Sequence, residues 1–389
     1  MQRFFMGLFL IMVLIISSLL VACGGTPVSP TTPSPPSTTT PTTPSSPSTT
    51  TPTSSVTLKF TTHHAKNATN ISQRTAEYFF SQLEKRSEGR IKIEQYLSAS
   101  LSTNKQQHNA IKTDAAQVAF VFPSAIPSVL PYFQAIDMLY AGGSPAAGSK
   151  SIRQIYELHD GFKQPFIDYD MKPLFFVQGD PALPGFSKSV TKDIRLPSDI
   201  AGLKIRSFGM ISNFLQTAGA TPVTIAWTEL PEALQRGTAQ GAWVSPTAWT
   251  QMQLYELVSQ IVYTGPCNYA SGVIVMKDSV YESLPKDLQQ IIDETREDTL
   301  AQRPEIFRQM EGDSIDLLKT ASNLKLVSLT DAEKQEWKKI VPGLWEKQLD
   351  YLEESGIKDI RPFFDQFQDI LAECEQTEEP WYDFDAAFK

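Results

Sequence analysis

Short strand-like segments alternate with helical segments along most of this chain, and this alternation most restricts the folds open to it. Residues 56–60 (VTLKF) have the period-two pattern of a strand, and the helical segment after them ends at Gly89. Residues 117–122 and 271–276 are apolar enough to be strands buried on both faces. Strands that alternate with helices predict βαβ units and a largely parallel sheet, and therefore an α/β fold.

The N-terminal segment has the pattern of an export signal. Arg3 is the only charge before an apolar run that reaches Ala22, and Cys23 follows directly. Residues 20–24 (LVACG) resemble the bacterial lipobox, in which cleavage before the cysteine leaves a lipidated N-terminus. We expect residues 1–22 to be a lipoprotein signal peptide, and a lipidated Cys23 to anchor the protein to the outer face of the cell membrane, in the periplasm or at the cell surface. A transmembrane helix is the alternative, because about 20 apolar residues can span a bilayer.

A spacer is predicted after the signal. Between residues 26 and 55, every residue except Val28 is Pro, Ser or Thr. Such a segment has little to bury, and its prolines favour an extended polyproline conformation. Residues 23–55 are therefore expected to be a tether between the membrane and the folded body.

The charge and the motifs of the chain exclude several classes of protein. With 389 residues, the chain exceeds what one core usually serves, so two domains are expected. The formal net charge is -9 and the basic residues are scattered, which argues against nucleic-acid binding. The sequence contains none of the common motifs of serine hydrolases, zinc proteases or nucleotide-binding loops. No cofactor and no metal are expected, because His63 and His64 are adjacent in an extended segment and would point to opposite faces.

Several motifs in register resemble the substrate-binding subunits of tripartite ATP-independent periplasmic (TRAP) transporters, the DctP-like family. Residues 196–206 (LPSDIAGLKIR) resemble the family signature P-x-D-L-x-G-L-K-I-R. Further segments match the family pattern in the same order along the chain: GRIKI at 89–93, GATPV at 219–223, ALQRG at 233–237 and LPKDLQ at 284–289.

The resemblance implies a periplasmic-binding-protein-like α/β fold, with two lobes, a hinge, a central ligand cleft and a long helix that braces both lobes. Lobe I would comprise residues 56–183 and a return segment, residues 270–303, while lobe II would comprise residues 184–269. Residues 304–389 would form a helical C-terminal part that packs mainly on lobe II. Pro304 predicts a kink or break in the long helical stretch.

Arg206, the last residue of the LKIR motif, is the first candidate for ligand binding. In the family this arginine binds the ligand's carboxylate, because a planar guanidinium can donate two parallel hydrogen bonds to the two carboxylate oxygens. Arg206 also ends a predicted strand, where α/β folds bind ligands, although a surface ion pair is the alternative. Many members carry a second arginine earlier in the chain, at a position held here by Ser187 or Lys188. Lys188 is therefore either a ligand contact or a surface lysine, and a dicarboxylate clamp is in doubt.

Further candidates for the walls of the cleft follow from register with the family: Trp227, Trp243, Phe122, Phe208 and His63. For each aromatic residue, packing in the core is the alternative and is the more common fate of such residues. At these positions the chain has apolar residues where family members often have polar ones. The substitutions favour a ligand that is a monocarboxylate with an apolar or aromatic body.

The expected function is the capture of a small organic acid for the membrane permease subunits of a TRAP transporter, by a monomer without enzymatic activity. Two alternatives remain open. The first is an exported hydrolase, because pairs of catalytic carboxylates have no fixed spacing. The second is a binding protein for another transporter or a sensor. Whether Cys267 and Cys374 form a disulfide cannot be decided from the sequence.

Overall fold

The computed structural model describes residues 55–66, 68–207, 209–267 and 270–389. Residues 1–54 lie outside the described residues, and with them the predicted signal peptide, Cys23 and nearly all of the predicted tether. The described strands form two mixed sheets. These strands are β1 (Val56–Thr61), β2 (Ile91–Tyr96), β3 (Val118–Val121), β4 (Met171–Gln178), β5 (Leu183–Ser187), β6 (Lys204–Arg206), β7 (Thr221–Val223), β8 (Gly241–Val244), β9 (Val258–Tyr263), β10 (Ser271–Lys277) and β11 (Lys325–Ser328).

The first sheet has the strand order β2-β1-β3-β10-β4 and is the centre of lobe I. β1 is parallel to β2 and β3, whereas β10 is antiparallel to both β3 and β4. It follows that β4 is parallel to β1 and β3, so the carboxyl ends of these three strands share one edge. All four residues of β3 are buried, as expected for an apolar strand covered on both faces.

The second sheet has the strand order β11-β9-β5-β8-β6-β7 and is the centre of lobe II. β6 is parallel to β7 and β8, β11 is parallel to β9, and β5 is antiparallel to its neighbours β8 and β9. The carboxyl ends of β6, β8 and β9 therefore share one edge with the first residue of β5.

Two crossovers connect the lobes. One runs from the end of β4 to the start of β5, and the other from the end of β9 to the start of β10. They lie side by side, because the amide of Ala182 donates to the Cys267 carbonyl at 2.7 Å. A side chain at Gly179 would place its Cβ 2.2 Å from the Ala270 carbonyl oxygen, so this close approach requires glycine. Both crossovers join the edges just described, which puts the predicted cleft between those edges.

Helices cover both sheets. They are α1 (Ile71–Arg86), α2 (Gln107–Lys112), α3 (Phe133–Ile136), α4 (Pro145–Leu158), α5 (Asp160–Asp168), α6 (Gly209–Thr217), α7 (Leu230–Arg236), α8 (Pro246–Gln251), α9 (Asp278–Ser283), α10 (Lys286–Thr320), α11 (Asp331–Lys338), α12 (Val341–Glu354), α13 (Ile360–Thr377) and α14 (Phe384–Ala387). Within the described part of the chain, none of them combines the length and apolarity needed to cross a bilayer.

The 35-residue helix α10 packs on α1 in lobe I and on α8 in lobe II. The two-lobe α/β architecture with a bracing helix is thus confirmed. Pro304 lies inside α10 and does not end it, so of the two predicted outcomes, a kink or a break, the break does not occur. A proline removes one backbone hydrogen bond, and here the buried residues on either side of it, such as Thr299 and Phe307, hold the helix in place.

The C-terminal helices divide between the lobes. Trp337 of α11 lies in the core of lobe II, stacked on Phe214 with ring centroids 5.8 Å apart. In contrast, α13 packs on α3 and α4 of lobe I, and its Phe363 and Phe367 are fully buried there. The prediction that residues 304–389 pack mainly on lobe II is therefore wrong for α13, because the apolar face of this amphipathic helix is buried in the core of lobe I.

Candidate ligand-binding site

Arg206 is the last residue of β6 and lies at the edge of lobe II that adjoins the crossovers. Its main chain pairs with Val223 at the end of β7, and the residue is 4% exposed. The side chain extends toward the loop after β7, where its Nε donates to the Ile225 carbonyl at 3.4 Å. The guanidinium therefore places a positive charge at the sheet edge, where the surrounding protein largely shields it from water.

Trp227 stands in the same loop, at the start of a short 3₁₀ turn, Trp227–Glu229. Its ring centroid is 5.4 Å from the guanidinium carbon of Arg206, which is within cation–π range. The residue is 38% exposed, which is unusual for a tryptophan in a packed protein. The pair therefore combines a fixed positive charge with an open apolar surface.

The chain after β6 adds polar groups to this edge. Ser207 is buried, and its hydroxyl lies 2.9 Å from that of Ser212 in α6. Ser245, directly after β8, accepts from the amide of Ala248 and so caps α8. Both serines follow strands whose carboxyl ends share the edge that carries Arg206.

The facing edge of lobe I is aromatic. His63 and His64 follow β1, and Phe122 follows β3. The ring centroid of His63 is 5.6 Å from that of Phe120 and 5.8 Å from that of Phe122. Burial lowers the pKa of His63 to about 4 and, together with the neighbouring His63, that of His64 to about 3. Both imidazoles are therefore neutral at neutral pH, and this wall carries aromatic rings without a charge.

Trp243 does not line this cleft. It is 1% exposed, packs edge-on against Phe214 and Trp337, and its Nε1 donates to the Ala182 carbonyl. The prediction that it forms a cleft wall is wrong, because its position along β8 turns the indole into the apolar core of lobe II.

Lys188 is also placed away from Arg206. It follows the carboxyl end of β5, and β5 runs antiparallel to β8. The preceding residue, Ser187, donates its amide to the carbonyl of Gln240, just before β8 begins. Lys188 is therefore an exposed residue at the opposite edge of the second sheet, and the prediction of a ligand contact there is not supported. Phe208, another predicted wall residue, lies outside the described residues.

Two buried carboxyl groups near the crossovers were missed by the sequence analysis. Asp180 lies in the first crossover and accepts from the hydroxyl of Thr247 at 3.2 Å. Glu311 is a fully buried residue of α10, and neither of its carboxyl oxygens has a hydrogen-bond partner among the described residues. Burial raises the pKa of Asp180 to about 7, and burial together with the Asp180 charge raises that of Glu311. The helical spacing of Glu311 from the apolar residues Phe307 and Ile315 was the one signal that it faces inward.

Cys267 and Cys374 are both free and buried. Cys267 belongs to the core of lobe II and Cys374 to the core of lobe I, so the structure does not pair them.

Comparison with known proteins identifies the family. Residues 62–350 match the DctP family, described as bacterial extracellular solute-binding protein, family 7. Among curated relatives, the ectoine-binding periplasmic protein TeaA of Halomonas elongata is 26% identical over 196 residues, which is 49% of this chain and 56% of that protein.

Solved structures of TRAP solute-binding proteins share the fold. A protein from Rhodoferax ferrireducens, solved with copurified benzoate, superposes with a TM-score of 0.71 at 21% identity, covering 83% of this chain and 99% of that one. A marine metagenome protein specific for aromatic acids, solved with 3-hydroxybenzoate, also gives a TM-score of 0.71, at 20% identity and with 82% and 99% coverage. This chain therefore belongs to family 7 of the bacterial extracellular solute-binding proteins, which confirms the resemblance to the substrate-binding subunits of TRAP transporters.

Proposed function

We propose that this protein binds a small monocarboxylate with an apolar or aromatic body between its two lobes and delivers it to the permease subunits of a TRAP transporter. As a member of a solute-binding family it is a binding protein rather than an enzyme. The observation that carries the proposal is the guanidinium of Arg206, fixed beside the open indole of Trp227 at the cleft edge of lobe II. A lipid on Cys23 would hold the monomer at the outer face of the membrane, with residues 23–55 as its tether.

The charge distribution supports a ligand with one negative charge. Arg206 supplies one fork of donors for a carboxylate. Lys188 lies at the far edge of the same sheet and cannot serve as the second cation of a dicarboxylate clamp from there. On the facing edge, His63 and His64 are neutral at physiological pH, because their pKa values lie at about 4 and about 3. A second carboxylate on the ligand would find no compensating charge on these side chains.

The walls support an apolar body. Trp227 on one side and the rings of His63 and Phe122 on the other offer flat faces for an aromatic or aliphatic group. Two structural neighbours hold benzoate and 3-hydroxybenzoate, which agrees with this chemistry. Burial of polarisable apolar faces around one charged group is the common arrangement of small-molecule sites.

The proposed mechanism is a population shift between open and closed lobes. The carboxylate of the ligand binds Arg206 in lobe II, and its body contacts the aromatic edge of lobe I, so the ligand stabilises only the form in which both edges approach. In this mechanism the two crossovers would act as the hinge, and α10 would link the lobes, because it packs on both. Closure then creates a composite surface for the permease.

The proposal is tested by identifying the bound acid. We expect native mass spectrometry of the purified protein to find a copurified monocarboxylate, and calorimetry to rank benzoate and 3-hydroxybenzoate above succinate, sialic acid and ectoine. Tightest binding of succinate or sialic acid would refute the single-charge site. Tightest binding of ectoine would show that a zwitterion, rather than an aromatic acid, fits the cleft.

A further inference from the structure

A cavity of about 470 Å³ lies on the outer side of lobe I, away from the cleft. Its walls come from α4, the edge strand β4, α10 and the segment after α13. Phe175, Phe176 and Arg303 form the buried floor, whereas Arg153 and Glu297 stand exposed at the rim. The cavity is thus open to solvent, and its size falls in the range of about 300–1,000 Å³ that is usual for small-molecule sites. None of the cleft residues described above lines it.

The floor contains a buried cation without a counter-ion. Arg303 is 2% exposed, and in the described part of the chain no carboxylate forms an ion pair with it. Its two terminal nitrogens donate to neutral acceptors, the Phe176 carbonyl at 3.0 Å and the Ser149 hydroxyl at 3.1 Å. Its Nε has no hydrogen-bond partner within the part of the chain that the structure describes, and burial lowers the pKa of the group to about 9. A buried charge normally has an opposite charge beside it, so this guanidinium favours the binding of an anion in the cavity.

The other charges at the cavity largely neutralise one another. Four basic and three acidic side chains line it, which leaves one net positive charge. Lys150 pairs with Glu378 at 2.6 Å, and Arg296 pairs with Glu297 at 2.8 Å. Glu157 pairs with Lys163 outside the cavity, and Arg153 lies 4.0 Å from the Glu297 carboxylate. Arg303 is therefore the basic residue of the lining that has no carboxylate beside it in the described part of the chain, and it matches a ligand with a single negative charge.

The remaining wall is apolar and partly aromatic. The guanidinium carbon of Arg303 lies 4.8 Å from the ring centroid of Trp381, and Tyr156 and Leu300 complete the side of the cavity. We propose that this cavity is a second ligand site, which binds a small organic monoanion with its charged group on Arg303 and its apolar body against Trp381. Trp381 lies in the non-helical segment between α13 and α14.

The site is tested separately from the cleft with 4-bromobenzoate as the probe. In the full-length Arg206→Ala protein, which lacks the carboxylate partner of the cleft, we expect calorimetry to find residual binding. We expect Arg303→Met to remove that binding by at least tenfold, because it deletes the charge but keeps the length of the side chain. Arg153→Met is the matched control, since it removes a rim charge of the same sign, and it should change the affinity by less than twofold.

Crystals of the Arg206→Ala protein soaked in 4-bromobenzoate locate the ligand directly. We expect an anomalous bromine peak in the cavity with the carboxylate on Arg303. A cavity that stays empty, or a bromine peak without measurable heat of binding in solution, would overturn the proposal. Should Arg303→Met fail to fold, Trp381→Ala serves in its place, because it removes the apolar partner and leaves the hydrogen bonds of Arg303 to β4 and α4 intact. Binding unchanged in that variant would also count against the site.

Discussion

The guanidinium of Arg206 and the indole of Trp227 lie 5.4 Å apart, measured from the guanidinium carbon to the ring centroid. The two residues follow from different strands, because Arg206 is the last residue of β6 and Trp227 lies in the loop after β7. The parallel pairing of β6 with β7 brings them together. A ligand that meets one of them therefore meets both, and this couples recognition of a charge to recognition of an apolar body.

Replacing Arg206 should weaken binding of the acid strongly. In Arg206→Ala the carboxylate enters a closing cleft without its partner, and we expect a loss of at least roughly 2 kcal/mol, or about thirtyfold in Kd. Arg206→Lys should also bind poorly, because an ammonium lacks the planar fork. Calorimetric titration measures both. Arg236→Ala, which removes an exposed arginine of lobe II, is the control, and near-normal affinity in both Arg206 variants would remove this residue from the site.

Truncating Trp227 should affect binding more than folding. The indole is 38% exposed in the free protein, so Trp227→Ala should change the free energy of unfolding by less than about 1 kcal/mol. We expect its loss to weaken binding of an aromatic acid by about 1–2 kcal/mol, because a flat apolar contact is removed. Trp227→Phe should retain most of the affinity. Chemical denaturation and calorimetry on the same samples separate the two effects, and equal affinity in all three proteins would exclude Trp227 as a wall.

The position of Arg206 could be predicted because two independent patterns agree on it. The LKIR motif marks the residue, and the apolar–polar pattern around it marks the end of a strand. In an α/β fold that position is the edge where ligands bind. The alternation of strands and helices likewise predicted the α/β fold, since it depends on local periodicity alone, whereas the two lobes followed from the family resemblance.

The positions of Trp243 and Lys188 could not be predicted in the same way. Trp243 lies between Ala242 and Val244, and all three residues are apolar. In a fully buried strand the sequence does not alternate between apolar and polar residues, so it does not show which side chains face the cleft. The position of Lys188 depends on the direction of β5, which runs antiparallel to β8. The direction of a strand within a mixed sheet is set by the tertiary fold and is not visible in the local sequence.

Trp243→Ala should therefore destabilise the protein. The indole is fully buried between Phe214 and Trp337 and donates to the Ala182 carbonyl. Its removal leaves a large cavity and an unpaired carbonyl, and we expect a loss of about 3–5 kcal/mol in the free energy of unfolding. Thermal or chemical denaturation measures this loss. A stability within 1 kcal/mol of the wild type, together with lost ligand binding, would return Trp243 to the cleft.

Glu311→Gln should make the stability of the protein less dependent on pH. Glu311 and Asp180 face each other near the crossovers, with the Thr247 hydroxyl on Asp180, and their pKa values are raised in the folded state, that of Asp180 to about 7. As pH rises above about 4, the unfolded chain loses these protons first, so the free energy of unfolding falls, and the contribution of Asp180 to this fall ends above about pH 7. The glutamine has no proton to lose.

We expect the free energy of unfolding of Glu311→Gln to match that of the wild type near pH 4.5 and to exceed it at pH 8, as determined by urea denaturation across this range. Asp313→Asn, an exposed carboxylate of the same helix, is the control and should follow the wild-type profile. A variant that is less stable than the wild type at pH 8 would show that Glu311 is ionised and paired.

His63 should add no pH dependence to the binding of the acid between about pH 8 and 6, although it lies at the lobe I edge of the cleft. Its imidazole is near the rings of His64, Phe120 and Phe122, and its Nδ1 is 3.5 Å from the Gln107 amide nitrogen. Burial lowers the pKa of His63 to about 4, so it gains no proton in this range. A histidine with an ordinary pKa of about 6.5 would become a second cation as the pH falls and would strengthen the binding of anions. Calorimetry at several pH values, with His63→Gln as the control, distinguishes these cases. Affinity that rises below pH 7 in the wild type but not in His63→Gln would show that His63 is charged and that the cleft accepts a doubly charged ligand.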